Sequence, residues 1–214
     1  MKRKKPDPPS SRLAVAGSGL GALLLAFLVY SPALNGPFVF DDQYLPFFSP
    51  HYAEQTLLTA IRGVRPLLYF TFWVNNRLAG TEPYTYHLFN LLFHCLNALL
   101  IFFITRKILG WAGSEGNRRE WLSALAGALF LLHPAQTEAV AYVASRSENL
   151  SALLFYAAFA VFLYRPSAAV GWLTALGVLV LYAATVTRVW GAERVGQVYG
   201  LLFSANIVAA PAPV

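Results

Sequence analysis

The chain alternates long apolar runs with short polar or basic segments. The first run, residues 13–30, would be about 27 Å long as a helix, which is enough to cross the hydrocarbon core of a bilayer. Two more runs of this kind, residues 84–105 and 149–164, end at the basic residues Arg106 and Arg165. The pattern predicts transmembrane helices at these three places.

Another apolar run begins at Trp121 but meets the polar sequence HPAQTE at His133. This run either ends short there or continues, bent at Pro134, towards Val143. Two further apolar runs follow, at residues 170–186 and, more weakly, at residues 198–210. The whole pattern predicts an all-α integral membrane protein with five to six transmembrane helices.

The long segment between the first two runs, residues 31–83, does not resemble a span but is rich in aromatic residues. Pro66 suits the first turn of a helix. Large apolar side chains would then coat much of that helix: Leu67, Leu68, Phe70, Phe72 and Trp73. A soluble loop has no need of such side chains, so we expect a helix that lies in the membrane interface.

Composition and charge agree with a membrane protein and orient it. Only 12% of the residues are charged and the mean hydropathy is +0.52, whereas a soluble domain has about 25% charged residues. Much of the net charge of +6 comes from the basic tail, residues 1–12, which is typical of a cytoplasmic flank and not of a nucleic-acid-binding patch. Without a clear A-x-A cleavage site, the first run is expected to be a retained signal anchor, which places residues 31–83 on the non-cytoplasmic face.

Four polar residues share one face of the predicted second span, because they are spaced by three, four and three positions: His87, Asn90, His94 and Asn97. Polar side chains within a membrane turn towards protein or a wet cavity. The stripe therefore either makes interhelical hydrogen bonds or lines a substrate cavity, with His87 as a candidate substrate-binding residue.

The sequence predicts no metal site and no certain cofactor, and the use of a divalent cation is left as an open alternative. His87 and His94 lie two helical turns apart, which is too far to share one ion without other ligands. A single cysteine, Cys95, excludes a disulfide within the chain.

A second polar cluster follows the short third run and contains His133, Glu138, Arg146 and Glu148. Ionisable groups at the membrane edge are costly and point to function by default. An ion pair between Glu138 and Arg146 is the structural alternative. Arg65 has two interpretations as well, since it either extends its charge to the membrane surface or binds a phosphate with its guanidinium fork.

Adjacent carboxylates, Asp41 and Asp42, follow the sequence FVF beside the first span. In an extended segment the two side chains would point in opposite directions. One carboxylate would then take part in the chemistry, and the other would orient a neighbouring group. A helix cap or an Asx turn is the structural alternative. We favour Asp41 as the carboxylate that takes part in the chemistry.

The order of these motifs resembles the N-terminal part of the transmembrane-and-tetratricopeptide-repeat O-mannosyltransferase family, over about residues 11–165. The motifs are GPFVFDD, RPL, YHLFNLLFHCLNALL and HPAQTEAVAYVASRSENL, after a basic tail and a span. The resemblance implies an incomplete GT-C membrane fold and a general base at Asp41 or Asp42. It also implies a polyprenyl- or dolichyl-phosphate sugar donor, a protein hydroxyl acceptor, and Arg65, Glu138 and Arg146 as further site residues.

The expected organisation is a basic cytoplasmic tail at 1–12, a GT-C-like membrane domain at 13–165 with four spans, and a divergent tail at 166–214. That tail has one to two spans and resembles part of a major-facilitator transporter. The leading hypothesis is a membrane glycosyltransferase or a fragment of one, with lipid and a protein acceptor as partners. The alternatives are a transporter or transporter fragment, and a non-catalytic membrane module.

Overall fold

The computed structural model describes residues 9–62 and 65–164, and the regular secondary structure of this part is all helical, without strands. The helices are α1 Pro9–Leu34, α2 Leu57–Ala60, α3 Pro66–Ala79, α4 Pro83–Trp111, α5 Gly116–Leu132, α6 Thr137–Ala141 and α7 Arg146–Tyr164. Short 3₁₀ turns fill the connections at Phe40–Tyr44, Pro46–Phe48, Tyr52–Glu54, Pro134–Gln136 and Val143–Ser145.

Three segments are long and apolar enough to cross a membrane: Leu13–Leu34, Pro83–Trp111 and Val143–Tyr164. They contain the runs predicted at residues 13–30, 84–105 and 149–164, so the first, second and fourth predicted spans are confirmed as helices. The runs predicted at 170–186 and 198–210, and the transporter-like tail, lie outside the described residues. The total of five to six spans therefore stays a prediction.

The third apolar run ends short. Helix α5 stops at Leu132, and His133 has the extended backbone (φ −69°, ψ 130°) that a residue before proline prefers. The imidazole Nδ1 of His133 accepts a hydrogen bond of 3.1 Å from the backbone N–H of Ala135. The chain then folds through α6 instead of continuing as a bent helix.

The helix predicted after residue 65 is present as α3, with Pro66 in its first turn. Its inner face buries Leu68 and Phe72, whereas Leu67 and Phe70 are exposed. The helix therefore presents apolar side chains outward as well as inward, and its depth in the membrane stays a prediction.

Helix α4 is the centre of the bundle and packs against α1, α5 and α7. Gly127 allows α5 to pack closely on α4, because a Cβ atom there would lie 3.0 Å from the carbonyl oxygen of Ala98. An apolar cluster lies under the connection that follows α1: Phe47, Tyr52, Leu68, Phe72, Tyr86 and Val143.

The two ends of the bundle differ in their polar contacts. At one end the guanidinium of Arg106, near the end of α4, contacts the carboxylate of Glu120 at 2.8 Å, and Arg119 joins the same carboxylate. At the other end the polar stripe of α4 meets the segment between α5 and α7, and the candidate site lies there.

Candidate functional site

All four polar side chains of the α4 stripe are buried, and they contact the chain between Leu131 and Asn149: His87, Asn90, His94 and Asn97. The opposite side of α4 is exposed, with exposed fractions of 38–51% at Leu92, Leu96, Leu99 and Phe103. The sequence-based prediction that the stripe faces protein and these four residues face outward is confirmed.

The stripe supplies hydrogen-bond donors to backbone carbonyls that regular helices leave without partners. His94 Nε2 lies 3.1 Å from the carbonyl oxygen of Leu131, and Tyr30 on α1 donates to the same oxygen at 3.2 Å. His87 Nδ1 lies 3.2 Å from the carbonyl oxygen of Val140. The stripe therefore makes the interhelical hydrogen bonds that were one of its two interpretations. These bonds position the segment after α5.

Arg146 is the largest fully buried side chain of the described residues. Its Nε donates to Asn90 Oδ1 at 2.8 Å, its Nη1 donates to Asn75 Oδ1 at 2.5 Å, and its Nη2 donates to the carbonyl oxygen of Tyr86 at 2.8 Å. The guanidinium also lies 4.6 Å from the ring centroid of Phe72. Neutral oxygens and aromatic faces thus solvate this charge, as a buried cation requires.

These contacts replace the ion pair that was considered between Arg146 and Glu138. The guanidinium instead ties α7 to α4 through Asn90 and to α3 through Asn75. Glu138 is exposed and faces Ser145, whose hydroxyl lies 3.5 Å from its carboxylate.

Asp42 is also fully buried and joins the connection after α1 to the start of α7. Its Oδ1 accepts a hydrogen bond of 2.7 Å from the N–H of Ala144, and its Oδ2 accepts from the N–H of Val143 at 3.3 Å and of Val39 at 3.2 Å. A carboxylate suits this place because the first N–H groups of a helical turn lack partners within the helix. The capping alternative thus describes Asp42.

Asp41 lies beside this anchor but is exposed. The two aspartates belong to the 3₁₀ turn Phe40–Tyr44, not to an extended segment, so their side chains diverge by about 120° instead of pointing in opposite directions. The turn begins at Phe40, whose φ of 50° is a left-handed conformation that bulky residues rarely adopt.

The neighbour of Asp41 is the hydroxyl of Tyr142. Burial, and then the nearby carboxylate of Asp41, raise the pKa of this tyrosine above its ordinary value. The ring of Phe40 packs edge-on against Tyr142, with 6.3 Å between the ring centroids. The phenol therefore stays protonated and can donate a hydrogen bond to a carboxylate.

Five of the six predicted site residues meet the segment 138–146. Asp41 lies near Tyr142, Asp42 holds Val143 and Ala144, His87 contacts Val140, and both Glu138 and Arg146 belong to the segment. Arg65 precedes α3 at its N-cap and is partly buried. That helix carries the Asn75 contact to Arg146.

Sequence patterns did not identify Asn75, Tyr86 or Tyr142. They also did not identify Thr71, whose hydroxyl lies 3.5 Å from Arg146 Nη1, or Asn149, which accepts hydrogen bonds from Asn97. Asn75 carried a usable signal, because an asparagine pair interrupts the otherwise apolar sequence of α3. The roles of Tyr86 and Tyr142 depend on a backbone carbonyl and on a long-range approach, and no local pattern shows either. Among residues 9–62 and 65–164, no group of three or more His, Cys, Asp or Glu side chains is placed to hold a metal ion.

Comparison with known proteins found clear relatives. The chain is 30% identical to human "Protein O-mannosyl-transferase TMTC1" over 172 residues, which is 71% of this chain and 19% of that protein. It is 31% identical to the Drosophila melanogaster Tmtc1 protein over 65% of this chain and 17% of the relative. For human TMTC3 the identity is 33%, over 63% of this chain and 14% of the relative.

The alignment with these proteins thus spans less than a fifth of their length. No family model matches the chain, and no solved structure matches it. The similarity extends over about two thirds of the chain and recurs in human, mouse and fly proteins of one kind. Over about two thirds of its length the chain is thus similar to protein O-mannosyl-transferases of the TMTC1, TMTC3 and TMTC4 kind, and the N-terminal part of that family fits it.

Proposed function

We propose that this chain forms the base-bearing part of a membrane glycosyltransferase that moves a sugar from a polyprenyl- or dolichyl-phosphate to a protein serine or threonine hydroxyl. The relatives are named protein O-mannosyl-transferases, which favours glycosyl transfer over the transporter alternative. The observation that carries the assignment of the base is the contrast between the two aspartates. Asp41 is exposed, whereas Asp42 is buried with its oxygens already hydrogen-bonded.

The proposed reaction needs a base at the acceptor and positive charge at the leaving group. The Asp41 carboxylate takes the proton of the acceptor hydroxyl, while the oxygen of that hydroxyl forms a bond to C1 of the sugar. The bond between C1 and the phosphate oxygen breaks, and its electron pair leaves with the lipid phosphate. Arg65 is assigned to the phosphate, because its guanidinium matches phosphate oxygens.

The remaining site residues support the base instead of reacting. Tyr142, whose pKa the nearby Asp41 raises, is assigned to orient that carboxylate, and Asp42 fixes the turn from which Asp41 projects. Glu138 is assigned to the acceptor chain because it is exposed on the same segment. His87 and Arg146 hold that segment through Val140 and Asn90, so their contribution to substrate binding is indirect.

Sugar transfer from a polyprenyl-phosphate donor to a hydroxyl acceptor in liposomes tests the assignment. We expect Asp41→Asn to lower turnover by about 10²–10⁴-fold with donor binding nearly intact. Arg65→Ala should weaken donor binding instead. Glu54→Gln removes an exposed carboxylate of the same connection and is the matched control. Undiminished turnover in Asp41→Asn, or absence of donor binding by the unsubstituted chain, contradicts the proposal.

The proposed topology has five to six spans, a cytoplasmic N-terminus, residues 31–83 outside and residues 106–120 inside. Gln43 is exposed next to the aspartates and is a suitable labelling position. With Cys95→Ser as background, Gln43→Cys should react with a membrane-impermeant maleimide from the non-cytoplasmic side only. Labelling from the cytoplasmic side alone would reverse the orientation and separate the base from a donor on the outer face.

A further inference from the structure

A polar pocket of about 230 Å³ lies between α4, the segment after α5, and α7. Its buried wall contains His94 and Asn97, each only 1% exposed, and its mouth contains the exposed Glu138 and the half-buried Glu148. Asp41 does not line this pocket, so it is distinct from the proposed base.

Two buried atoms in this wall have no hydrogen-bond partner among the described residues: His94 Nδ1 and Asn97 Oδ1. Both are acceptors. A carbonyl oxygen only accepts, so the contact of 3.1 Å to the carbonyl of Leu131 requires the proton of His94 on Nε2 and leaves Nδ1 with a lone pair. The amide nitrogen of Asn97 donates to Asn149, and the Oδ1 atom of this pocket-lining residue is left without a partner.

The pocket therefore places two acceptors without partners beside the carboxyl side chains of Glu138 and Glu148. A buried acceptor without a partner costs about 1–3 kcal/mol, so a ligand that supplies donors is favoured there. Phe130 and Tyr156 add aromatic walls, whose faces attract cations. The volume is below the roughly 300–1,000 Å³ of drug-sized sites, which restricts the ligand to a small molecule or a single headgroup.

We propose that this pocket binds a small primary ammonium group, whose three N–H donors meet His94 Nδ1, Asn97 Oδ1 and the carboxylate of Glu148. The same chemistry is present in free ethanolamine and in the headgroup of phosphatidylethanolamine. The proposal goes beyond glycosyl transfer and does not depend on it, because it uses neither Asp41 nor Arg65.

The test measures binding of radiolabelled ethanolamine to the full chain in detergent. We expect saturable binding that Glu148→Gln weakens about tenfold, as the loss of a charged hydrogen bond implies. Ala152→Leu, which fills the pocket while keeping every polar group, should abolish binding. Glu54→Gln, outside the pocket, should leave binding unchanged, and ethylene glycol and choline should not compete.

Several outcomes overturn the proposal. These are the absence of saturable binding, equal competition by ethylene glycol or choline, full displacement by sodium alone, and unchanged binding in Ala152→Leu. Nanodiscs then distinguish the two sources. If the headgroup is the natural ligand, phosphatidylethanolamine nanodiscs reduce ethanolamine binding relative to phosphatidylcholine nanodiscs. Equal binding in both supports the free amine.

Discussion

The carboxylate of Asp42 accepts a hydrogen bond of 2.7 Å from the backbone N–H of Ala144, 102 residues later in the chain. This contact fixes the connection after α1 to the start of α7 and leaves the neighbouring Asp41 exposed. Adjacent residues of one type thus have different surroundings, and the difference separates a structural carboxylate from a candidate base.

Asp42→Ala should strongly destabilise the fold, because it leaves the N–H groups of Val143 and Ala144 buried without an acceptor. We expect a loss of about 2–4 kcal/mol in the free energy of unfolding. Asp41→Ala, at the exposed neighbour, should cost less than about 0.5 kcal/mol. Unfolding in detergent by denaturant compares the two, and equal losses would contradict the division of roles.

Arg146→Lys should destabilise the bundle although it preserves the charge. A lysine lacks the fork that reaches Asn90, Asn75 and the carbonyl of Tyr86 together. Arg146→Ala should destabilise the bundle more, because it leaves these three neutral oxygens buried without a donor, at about 1–3 kcal/mol each. Thermal unfolding in detergent provides the measurement, with exposed Arg118→Ala as the control. Wild-type stability in Arg146→Lys would show that charge alone suffices.

Gly127→Val should separate α5 from α4, since any Cβ there would lie 3.0 Å from the carbonyl oxygen of Ala98 and 3.4 Å from Cβ of Phe102. Small residues permit such close helix packing in membranes. We expect a loss of about 1–3 kcal/mol. Gly21→Ala is the matched control, because nothing lies within 4 Å of its Cβ position. Melting temperatures should fall only for Gly127→Val.

Glu120 should make stability depend on acid pH. Burial, the largest influence, would raise the pKa of Glu120, but hydrogen bonds from Arg106 and Arg119 together hold the pKa below its ordinary value. The ionised form therefore contributes stability that is present above the unfolded-state pKa and is lost as pH falls through the folded-state pKa. Between about pH 6 and pH 3, Glu120→Gln should flatten the decline in melting temperature. A parallel decline in both proteins would exclude this contribution.

Hydrophobic periodicity by itself determined much of the helical architecture. The runs at 13–30, 84–105 and 149–164 are helices because a backbone in lipid must satisfy its own hydrogen bonds. The spacing of the α4 stripe also determined which side of that helix faces protein, since residues three and four apart share a face. Pro134 indicated the place at which α5 would either bend or end, but it did not indicate which of the two would occur.

Tertiary structure decided the partners of the charged residues. The hydrogen bonds of Arg146 to Asn90 and Asn75 join residues 56 and 71 positions apart, and local sequence patterns carry no information on such pairs. The roles of Asp41 and Asp42 were likewise open, because either carboxylate can cap a turn or take a proton. Burial of Asp42 against the start of α7 separated them, since only long-range packing determines which of two adjacent side chains loses contact with solvent.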